Sequence, residues 1–397
     1  MMQENEYRVQ GFRASAVKAG LKKDKALDLA LMVSEKETTV AGVFTTNKVV
    51  AAPVIVSREH VQNGGARVII ANAGNANACT GKAGLDNARR TAQLVADKLG
   101  IGADEVLVAS TGVIGQPLNV DRIAEALPSL IDGLSPDGIP DAARAIMTTD
   151  SFAKISRFEG SAGGRPYRIL GIAKGAGMIM PNMATMLCFL MSDIRIDPHD
   201  LKAVLASSVE TTFNRISVDG DTSTNDTVLV LANGLAGNRV LTEADLKEFN
   251  KGLESVMGEL AQMIVRDGEG ATKVIHMEIK GAHSASDALK AARTVGNSSL
   301  VKTACYGQDP NWGRIMAALG RAEIVMEEET VDIWVDDILI VSAGLGKGEA
   351  AEKKAADIML KKEYTLTIDL HQGDFEDRMT TCDLTHEYVS INANYRT

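Results

Sequence analysis

Short apolar runs of strand length recur along the sequence, separated by segments with helical periodicity. Many of these runs are apolar at every position, which is typical of strands in a sheet that is covered on both faces. Strands alternating with helices predict an α/β fold in which helices pack outside layers of strands. The candidate strands are LALMV at 29–33, PVIV at 53–56, RVIIA at 67–71, EVLVA at 105–109, MLCFLM at 186–191, TVLVLA at 227–232, VIHMEI at 274–279, DIWV at 332–335, ILIV at 338–341 and TLTIDL at 365–370.

Two helices are predicted from their start signals. Asp197 with Pro198 forms a typical helix start, and apolar side chains then recur at helical spacing. Thr242 with Asp245 approximates a capping box, and a long apolar stripe follows it. Both segments separate candidate strands, as the α/β interpretation requires.

Length and charge limit the classes of protein that this sequence can encode. The 397 residues exceed what one hydrophobic core usually fills, so two lobes or one large layered domain are expected. A net charge of -10 argues against a nucleic-acid partner, which would need a basic surface. No run approaches the ~18 apolar residues of a membrane span, and we find no apolar core of a signal peptide near the N-terminus. We therefore expect a cytoplasmic protein, or an organellar one if a transit peptide has been removed.

The stretch 174–191, KGAGMIMPNMATMLCFLM, places a threonine where a loop meets a buried strand. Thr185 is either an ordinary strand start or a nucleophile. A threonine hydroxyl needs a base beside it, and scission before Thr185 would free its own α-amine, whose pKa of about 8 suits a general base. Attack of the hydroxyl on the Ala184 carbonyl, an N-to-O acyl shift and hydrolysis of the ester would produce chains 1–184 and 185–397.

Four further sets of polar residues suit an enzyme site but also have simpler explanations. STG at 110–112 follows a candidate strand, so it is either a plain strand-to-loop turn or a loop whose N–H groups point at a developing negative charge. Lys174 is either a solvated lysine or a partner for the α-carboxylate of an amino-acid substrate. Glu269, in DGEGATK, is either a solvated turn residue or a carboxylate that binds an ammonium group. Thr148 and Thr149 are most simply the polar end of the helix DAARAIM.

Several motifs, in one order across nearly the whole chain, give a specific resemblance. Besides the Thr185 segment they are NAGNANACTG at 72–81, STGVIGQPL at 110–118, AIMTTD at 145–150, SVDGDTSTNDT at 217–227, DGEGATK at 267–273, YGQDPNWGR at 306–314 and INANYRT at 391–397. With these motifs the chain resembles the ornithine acetyltransferase family, also called glutamate N-acetyltransferase or arginine-biosynthesis bifunctional protein. The resemblance implies a four-layer α/β/β/α sandwich, the fold of self-cleaving ornithine acetyltransferases and aminopeptidases.

The resemblance also implies roles for single residues. Thr185 matches the nucleophile of the family, and the bond between Ala184 and Thr185 matches its self-cleavage site. Thr111 and Gly112 match the residues that form the oxyanion hole. The residues that match substrate-binding positions are Thr148, Lys174, Thr185, Glu269, Asn392 and Thr397.

From the resemblance we expect acetyl transfer from N-acetyl-L-ornithine to L-glutamate by a ping-pong mechanism in arginine biosynthesis. An acetyl-Thr185 ester is the expected intermediate, and no cofactor or metal is expected because one amide is exchanged for another. Some family members also accept acetyl-coenzyme A as a donor, and the residues do not decide between the two kinds of member. The family further implies a heterotetramer of two α chains (1–184) and two β chains (185–397), without a membrane or nucleic-acid partner.

Two other interpretations stay open on the residues. A self-cleaving aminopeptidase of the same fold would share the Thr185 chemistry but would hydrolyse its acyl-enzyme. A non-enzymic α/β binding or metal-handling protein would use a cluster of soft ligands, although Met-rich loops more often serve packing. That cluster comprises Met178, Met180, Met183, Met186 and Cys188.

Overall fold

The computed structural model describes residues 6–23, 26–180 and 186–394. Ala184, Thr185 and Thr397, which the sequence analysis assigned to the site, lie outside the described residues. The chain divides into two compact units. The first comprises residues up to 214 together with 221–264, and the second comprises 215–220 together with the chain from 265 onward. Among the described residues, no helix is both long enough and apolar enough to cross a bilayer.

The strands and helices follow one another in mixed order along the chain. In chain order the strands are β1 (Phe12–Val17), β2 (Leu29–Phe44), β3 (Gly65–Asn75), β4 (Val106–Val113), β5 (Lys154–Ala162), β6 (Arg165–Lys174), β7 (Leu187–Ser192), β8 (Ile216–Ser217), β9 (Thr227–Ala232), β10 (Val274–Ala282), β11 (Asp332–Val335), β12 (Ile338–Ser342), β13 (Leu345–Gly346), β14 (Glu363–Asp369) and β15 (Phe375–Cys382). The helices are α1 (Ala52–Val61), α2 (Gly81–Leu99), α3 (Val120–Asp132), α4 (Ile139–Ala145), α5 (Pro198–Thr211), α6 (Glu243–Arg266), α7 (Ala285–Gly296), α8 (Ser299–Tyr306), α9 (Trp312–Leu319), α10 (Glu349–Met359) and α11 (His386–Asn394).

The first unit contains a mixed sheet in the order β4-β3-β2-β9-β7-β6-β5, with β1 paired to β2. β3 runs parallel to β4 and β7 runs parallel to β9, whereas β6 is antiparallel to both β5 and β7. On one face α1, α2 and α3 pack against a cluster that includes Leu31 and Ile70. On the other face α4 packs against a cluster that includes Met32 and Ile69. Coverage of both faces explains why these strands are apolar at successive positions.

The predicted starts of α5 and α6 are confirmed. The Asp197 carboxylate accepts a hydrogen bond from the backbone N–H of His199, as expected of an N-cap. The Asp245 carboxylate accepts from the Thr242 N–H at 2.9 Å, and the Thr242 hydroxyl accepts from the Asp245 N–H at 3.3 Å. These reciprocal bonds satisfy N–H groups that the first helical turn leaves without a partner in the helix.

The second unit contains a sheet in the order β13-β12-β11-β14-β10-β15-β8. β10 is parallel to β14 and antiparallel to β15. Helices α7, α8, α9 and α10 pack on one face of this sheet, in a cluster with Ile275, Ile333 and Leu366. Alternate positions of β14, such as Thr365 and Thr367, are polar and half-buried, so this sheet alternates in polarity where the first does not.

The predicted α/β fold class is confirmed. The structure contains two sheets with helices packed on them, which are the components of the four-layer sandwich that the resemblance implied. The prediction of a strand at 53–56 is wrong, because these residues lie in α1. Pro53 suits the first turn of a helix, where its missing N–H costs no hydrogen bond. The other candidate strands overlap observed strands.

The packing of α6 on β6 and β7 depends on the absence of a side chain at Gly171. An added Cβ would lie 2.7 Å from Leu190 Cδ2 and 2.8 Å from Val256 Cγ1. We expect Gly171→Ala to lower the free energy of unfolding by about 1–3 kcal/mol, because these side chains must move. Gly258→Ala within α6 is the matched control and should raise the free energy of unfolding by about 0.5–1 kcal/mol. Among the described residues, its Cβ would contact Thr212 Cγ2 alone, at an ordinary 3.8 Å. Denaturant unfolding measures both, and equal effects would contradict this account of the packing.

Candidate active site

Two segments of the first unit bring polar side chains to the ammonium group of Lys174. Lys174 is the last residue of β6, and its Nζ donates a hydrogen bond to Thr148 Oγ1 at 2.7 Å. Thr111 Oγ1, on β4, lies 3.5 Å from the same Nζ, and Asp150 Oδ2 lies 3.9 Å from it. Lys174 is only 8% exposed, so it is not the solvated lysine of the simpler interpretation. Three of the sequence-predicted site residues, Thr111, Thr148 and Lys174, therefore meet.

The two threonines of the AIMTTD motif are distinguished by their contacts. α4 ends at Ala145, so Thr148 lies beyond the helix rather than at its polar end. Its backbone N–H donates to Asp150 Oδ2 at 2.9 Å, which closes a short turn. This turn presents the Thr148 hydroxyl to Lys174. Within the described part of the chain, Thr149 makes no such contact with this lysine.

The STG motif forms the end of a strand, which corrects the expectation that it lies on a loop. Ser110, Thr111 and Gly112 continue β4, and Gly112 stands opposite Gly74 of β3. Gly112 has a φ of +129°, and an added Cβ would lie 2.4 Å from the carbonyl carbon of Gly74. Glycine is therefore required here by both the backbone conformation and the neighbouring strand.

Asn225, a residue for which no role was predicted from the sequence, connects three of the motifs. Its side-chain Nδ2 donates to the Ala76 carbonyl at 2.6 Å and to the Ser110 carbonyl at 2.8 Å. Its Oδ1 accepts from the Thr224 hydroxyl at 2.6 Å. A buried amide with such partners fixes the backbone immediately before Thr111. The only signal in the sequence was its place within SVDGDTSTNDT, since the carbonyls that it binds are far away along the chain.

A buried ion pair beside Lys174 was also missed. Asp150 and Lys154 have fully buried side chains, and Lys154 Nζ lies 2.7 Å from Asp150 Oδ1. The same Oδ1 accepts from the Gly175 N–H at 2.6 Å. Burial raises the pKa of Asp150, but the charges of Lys174 and Lys154 and the hydrogen bonds from Lys154 and Thr148 outweigh burial and lower it to about 2. The carboxylate is therefore ionised at neutral pH.

In the second unit, Glu269 and Asn392 contact each other. Asn392 Nδ2 on α11 donates to Glu269 Oε2 at 2.7 Å, and Glu269 is only 8% exposed. The interpretation of Glu269 as a solvated turn residue is therefore wrong. The Thr385 hydroxyl also donates to the Gly270 carbonyl at 2.8 Å, so two side chains attach the C-terminal helix segment to this turn.

Within the described residues, the cluster of methionines with Cys188 lacks the properties of a metal site. Met183 lies outside the described residues, and Cys188 is fully buried within β7. Burial raises the pKa of the Cys188 thiol well above its ordinary value. A thiol binds metal as the thiolate, so a side chain held protonated in the core is a poor ligand.

Comparisons with known proteins identify the family of this chain. The ArgJ family model matches residues 13–397. The chain belongs to the ArgJ family. It is 51% identical over 391 residues to the arginine biosynthesis bifunctional protein ArgJ of Geobacter sulfurreducens, and the match covers 98% of this chain and 100% of that protein. It is 48% identical over 402 residues to the glutamate N-acetyltransferase of Methanocaldococcus jannaschii, and this match covers 98% and 97% of the two chains.

A solved ArgJ structure also resembles this family member. The crystal structure of the arginine biosynthesis bifunctional protein ArgJ from Bacillus halodurans matches with a TM-score of 0.50 and 42% identity, covering 52% of this chain and 98% of that chain. Family membership confirms the resemblance inferred from the motifs. It also confirms the prediction of an enzyme of the acyltransferase class that belongs to arginine biosynthesis.

The lowered pKa of Asp150 predicts a loss of stability in acid. In the unfolded chain an aspartate has a pKa of about 4, whereas in the folded chain the pKa of Asp150 is about 2. Between these values the unfolded chain binds the proton more readily, so the contribution of Asp150 is fully present above about pH 4 and is lost as the pH falls to about 2. We expect this contribution to be about 2 kcal/mol.

Acid unfolding of a double variant tests this prediction. Asp150→Asn combined with Lys154→Met removes both charges of the buried pair. The free energy of unfolding of this variant should fall by about 2 kcal/mol less than that of the wild type between pH 4 and pH 2. Identical losses in the two proteins would contradict the assignment.

Proposed function

We propose that this ArgJ family member transfers an acetyl group from N-acetyl-L-ornithine to L-glutamate through an acetyl ester of Thr185. The observation that carries the proposal is the buried contact of the Lys174 ammonium group with the hydroxyls of Thr148 and Thr111. N-acetylornithine and glutamate share an α-carboxylate, and an ammonium group with two flanking hydroxyls is a suitable partner for it. Donor and acceptor can therefore use one pocket in turn, as a ping-pong mechanism requires.

The first step of the proposal is scission between Ala184 and Thr185. It produces an α chain, 1–184, and a β chain, 185–397, and it frees the α-amine of Thr185 as a general base. The bond belongs to the segment that connects β6 to β7. The Bacillus halodurans chain supports this step, because nearly all of that chain matches only about half of this one. We further propose that two α and two β chains form a heterotetramer in the cytoplasm.

The second step is acetyl transfer to the enzyme. The Thr185 hydroxyl attacks the acetyl carbonyl while its α-amine accepts the proton, and Thr111 and Gly112 donate hydrogen bonds to the oxyanion. The amine of ornithine then leaves with the proton, and the ester remains. Asn225 supports these donors, since its amide holds the Ser110 carbonyl at 2.8 Å and so orders the backbone before the reaction.

The third step returns the acetyl group to an amine. The neutral amino group of glutamate attacks the ester carbonyl and gives its proton to the α-amine of Thr185. The bond between the acetyl carbon and Thr185 Oγ then breaks, Oγ takes the proton from the α-amine, and N-acetylglutamate leaves. Glu269 binds an amino group of the substrate, either the free side-chain ammonium group of N-acetylornithine or the amine of the incoming glutamate. The hydrogen bond from Asn392 fixes the carboxylate of Glu269. Thr397 completes the substrate-binding residues of the proposal. No cofactor takes part, because an amide is exchanged for another amide.

Scission is tested on a denaturing gel. The wild-type protein should migrate as two chains, and sequencing should find one that begins Thr-Met-Leu-Cys. Thr185→Ala should remain one chain and should not transfer acetyl groups, because the hydroxyl that attacks both carbonyls is missing. Thr303→Ala, at an exposed position of α8, is the matched control and should be cleaved like the wild type. An intact wild-type chain would end the proposal at its first step.

The donor is tested by paired assays of glutamate acetylation with N-acetylornithine and with acetyl-coenzyme A. We expect transfer from N-acetylornithine, and additional transfer from acetyl-coenzyme A would identify a bifunctional enzyme. Cleavage of the chain without transfer, together with hydrolysis of the N-terminal peptide bond of peptides, would instead favour the self-cleaving aminopeptidase.

Glu269→Gln tests the proposed contact with the substrate amine. Loss of one charge at a buried carboxylate should raise the KM for N-acetylornithine about tenfold, because a charge-assisted hydrogen bond becomes a neutral one. The matched control is Glu376→Gln at an exposed position of β15, and its KM should equal that of the wild type. Steady-state kinetics on fully cleaved protein measure both, and an unchanged KM in Glu269→Gln would remove this residue from the substrate site.

A further inference from the structure

Both carboxylate oxygens of Asp150 accept hydrogen bonds from residues close to Lys174. Oδ1 accepts from Lys154 Nζ at 2.7 Å and from the Gly175 N–H at 2.6 Å. Oδ2 accepts from the Thr148 N–H at 2.9 Å and lies 3.9 Å from Lys174 Nζ. One buried group thus contacts the turn after α4, the end of β6 and the first residue of the loop that follows.

We propose that Asp150 is a positioning residue for the acetyl transfer. It holds the ammonium group of Lys174 where this group receives the α-carboxylate of the amino acid, and it holds the backbone of Gly175 where the loop towards Ala184 and Thr185 begins. The proposal rests on the proposed function for its link to catalysis, but the geometric part can be tested separately.

The two lysines differ in how they meet this carboxylate. Lys154 makes the short contact at 2.7 Å, whereas Lys174 stands at 3.9 Å and donates to Thr148 instead. The longer contact orients the Lys174 ammonium group and still leaves it within reach of a second anion. A lysine side chain has many rotamers, so ordering it before the substrate arrives removes an entropic cost from binding.

The hydrogen bond to Gly175 extends the same effect to the backbone. Gly175 follows β6 directly, and its N–H donates to a charged oxygen at 2.6 Å. Such a bond is stronger than one to a neutral acceptor, so it fixes the direction in which the chain leaves the sheet. Because Ala184 and Thr185 follow Gly175 along the chain before β7 begins, loss of Asp150 should slow scission as well as weaken substrate binding.

The competing explanation is purely structural: Asp150 would only neutralise the buried charge of Lys154. Three variants separate the explanations. Lys154→Met keeps the contacts of Asp150 with Thr148, Gly175 and Lys174. Asp150→Asn breaks the ion pair and leaves Lys154 charged and buried, which is strongly destabilising. The double variant removes both charges and should therefore recover stability relative to Asp150→Asn.

The decisive comparison is between Lys154→Met and the double variant, because these differ only at Asp150. With fully cleaved protein, we expect the double variant to have a KM for N-acetylornithine about tenfold higher than Lys154→Met, with kcat changed by less than about threefold. Scission should also be slower in the double variant. Equal KM values and equal scission rates in these two proteins would overturn the proposal, whatever their stabilities.

A readout without catalysis keeps this proposal distinct from the proposed function. Trace labelling with acetic anhydride, followed by mass spectrometry of the peptide that contains Lys174, measures how reactive its amine is. Removal of a neighbouring carboxylate favours the neutral amine, so Lys174 should be labelled at least about threefold faster in the double variant than in Lys154→Met. If the wild type neither cleaves nor transfers, the proposed function fails and this ratio still decides the role of Asp150. Equal labelling of Lys174 in the double variant and in Lys154→Met would overturn the proposed role of Asp150.

Discussion

Burial of the first sheet on both faces restricts where this unit can place charged and polar groups. In the interior of such a sheet a polar group is costly unless it has a hydrogen-bond partner. Thr111 and Gly112 lie near the end of β4 and Lys174 is the last residue of β6, so these groups stand where the strands leave the apolar layers. The candidate site is therefore a consequence of the sheet: the strands fix its residues rigidly, and only their ends are available for chemistry.

Much of the motif sequence serves to hold backbone rather than to touch a substrate. Gly112 is needed because the chain of β3 passes at 2.4 Å from the position of a Cβ. Asn225 is needed because one side-chain amide satisfies carbonyls of two different segments. Both effects preorganise the same short stretch of β4. This suits the oxyanion role proposed for Thr111 and Gly112, because an oxyanion is stabilised best by donors that do not have to reorganise. The long motifs around the few reactive residues thus have a physical reason.

Periodicity predicted the fold class and most strands, because strands covered on both faces leave a continuous apolar signal. It failed at 53–56, where a buried helix begins with a similarly apolar run, and local sequence does not distinguish the two. It also missed β5 and β15, whose outer positions are polar or exposed. For the site, the family resemblance identified Thr111, Thr148 and Lys174, and their meeting depends on contacts between distant segments that spacing does not encode. Asp150 and Asn225 escaped notice because a polar residue in a turn is ordinary until its partners are known.

The buried pair of Asp150 and Lys154 is poorly explained by stability alone. Removing two charges from water costs about as much as their attraction returns, so apolar residues of similar size often stabilise a protein equally well. An apolar side chain at position 150, however, would leave the N–H groups of Thr148 and Gly175 without this acceptor. Lys154 then has a simple purpose, since it adds to the charge of Lys174 and to the hydrogen bond from Thr148 in keeping the carboxylate ionised within the protein interior. The negative charge of Asp150 is the one that Thr148, Gly175 and Lys174 all contact.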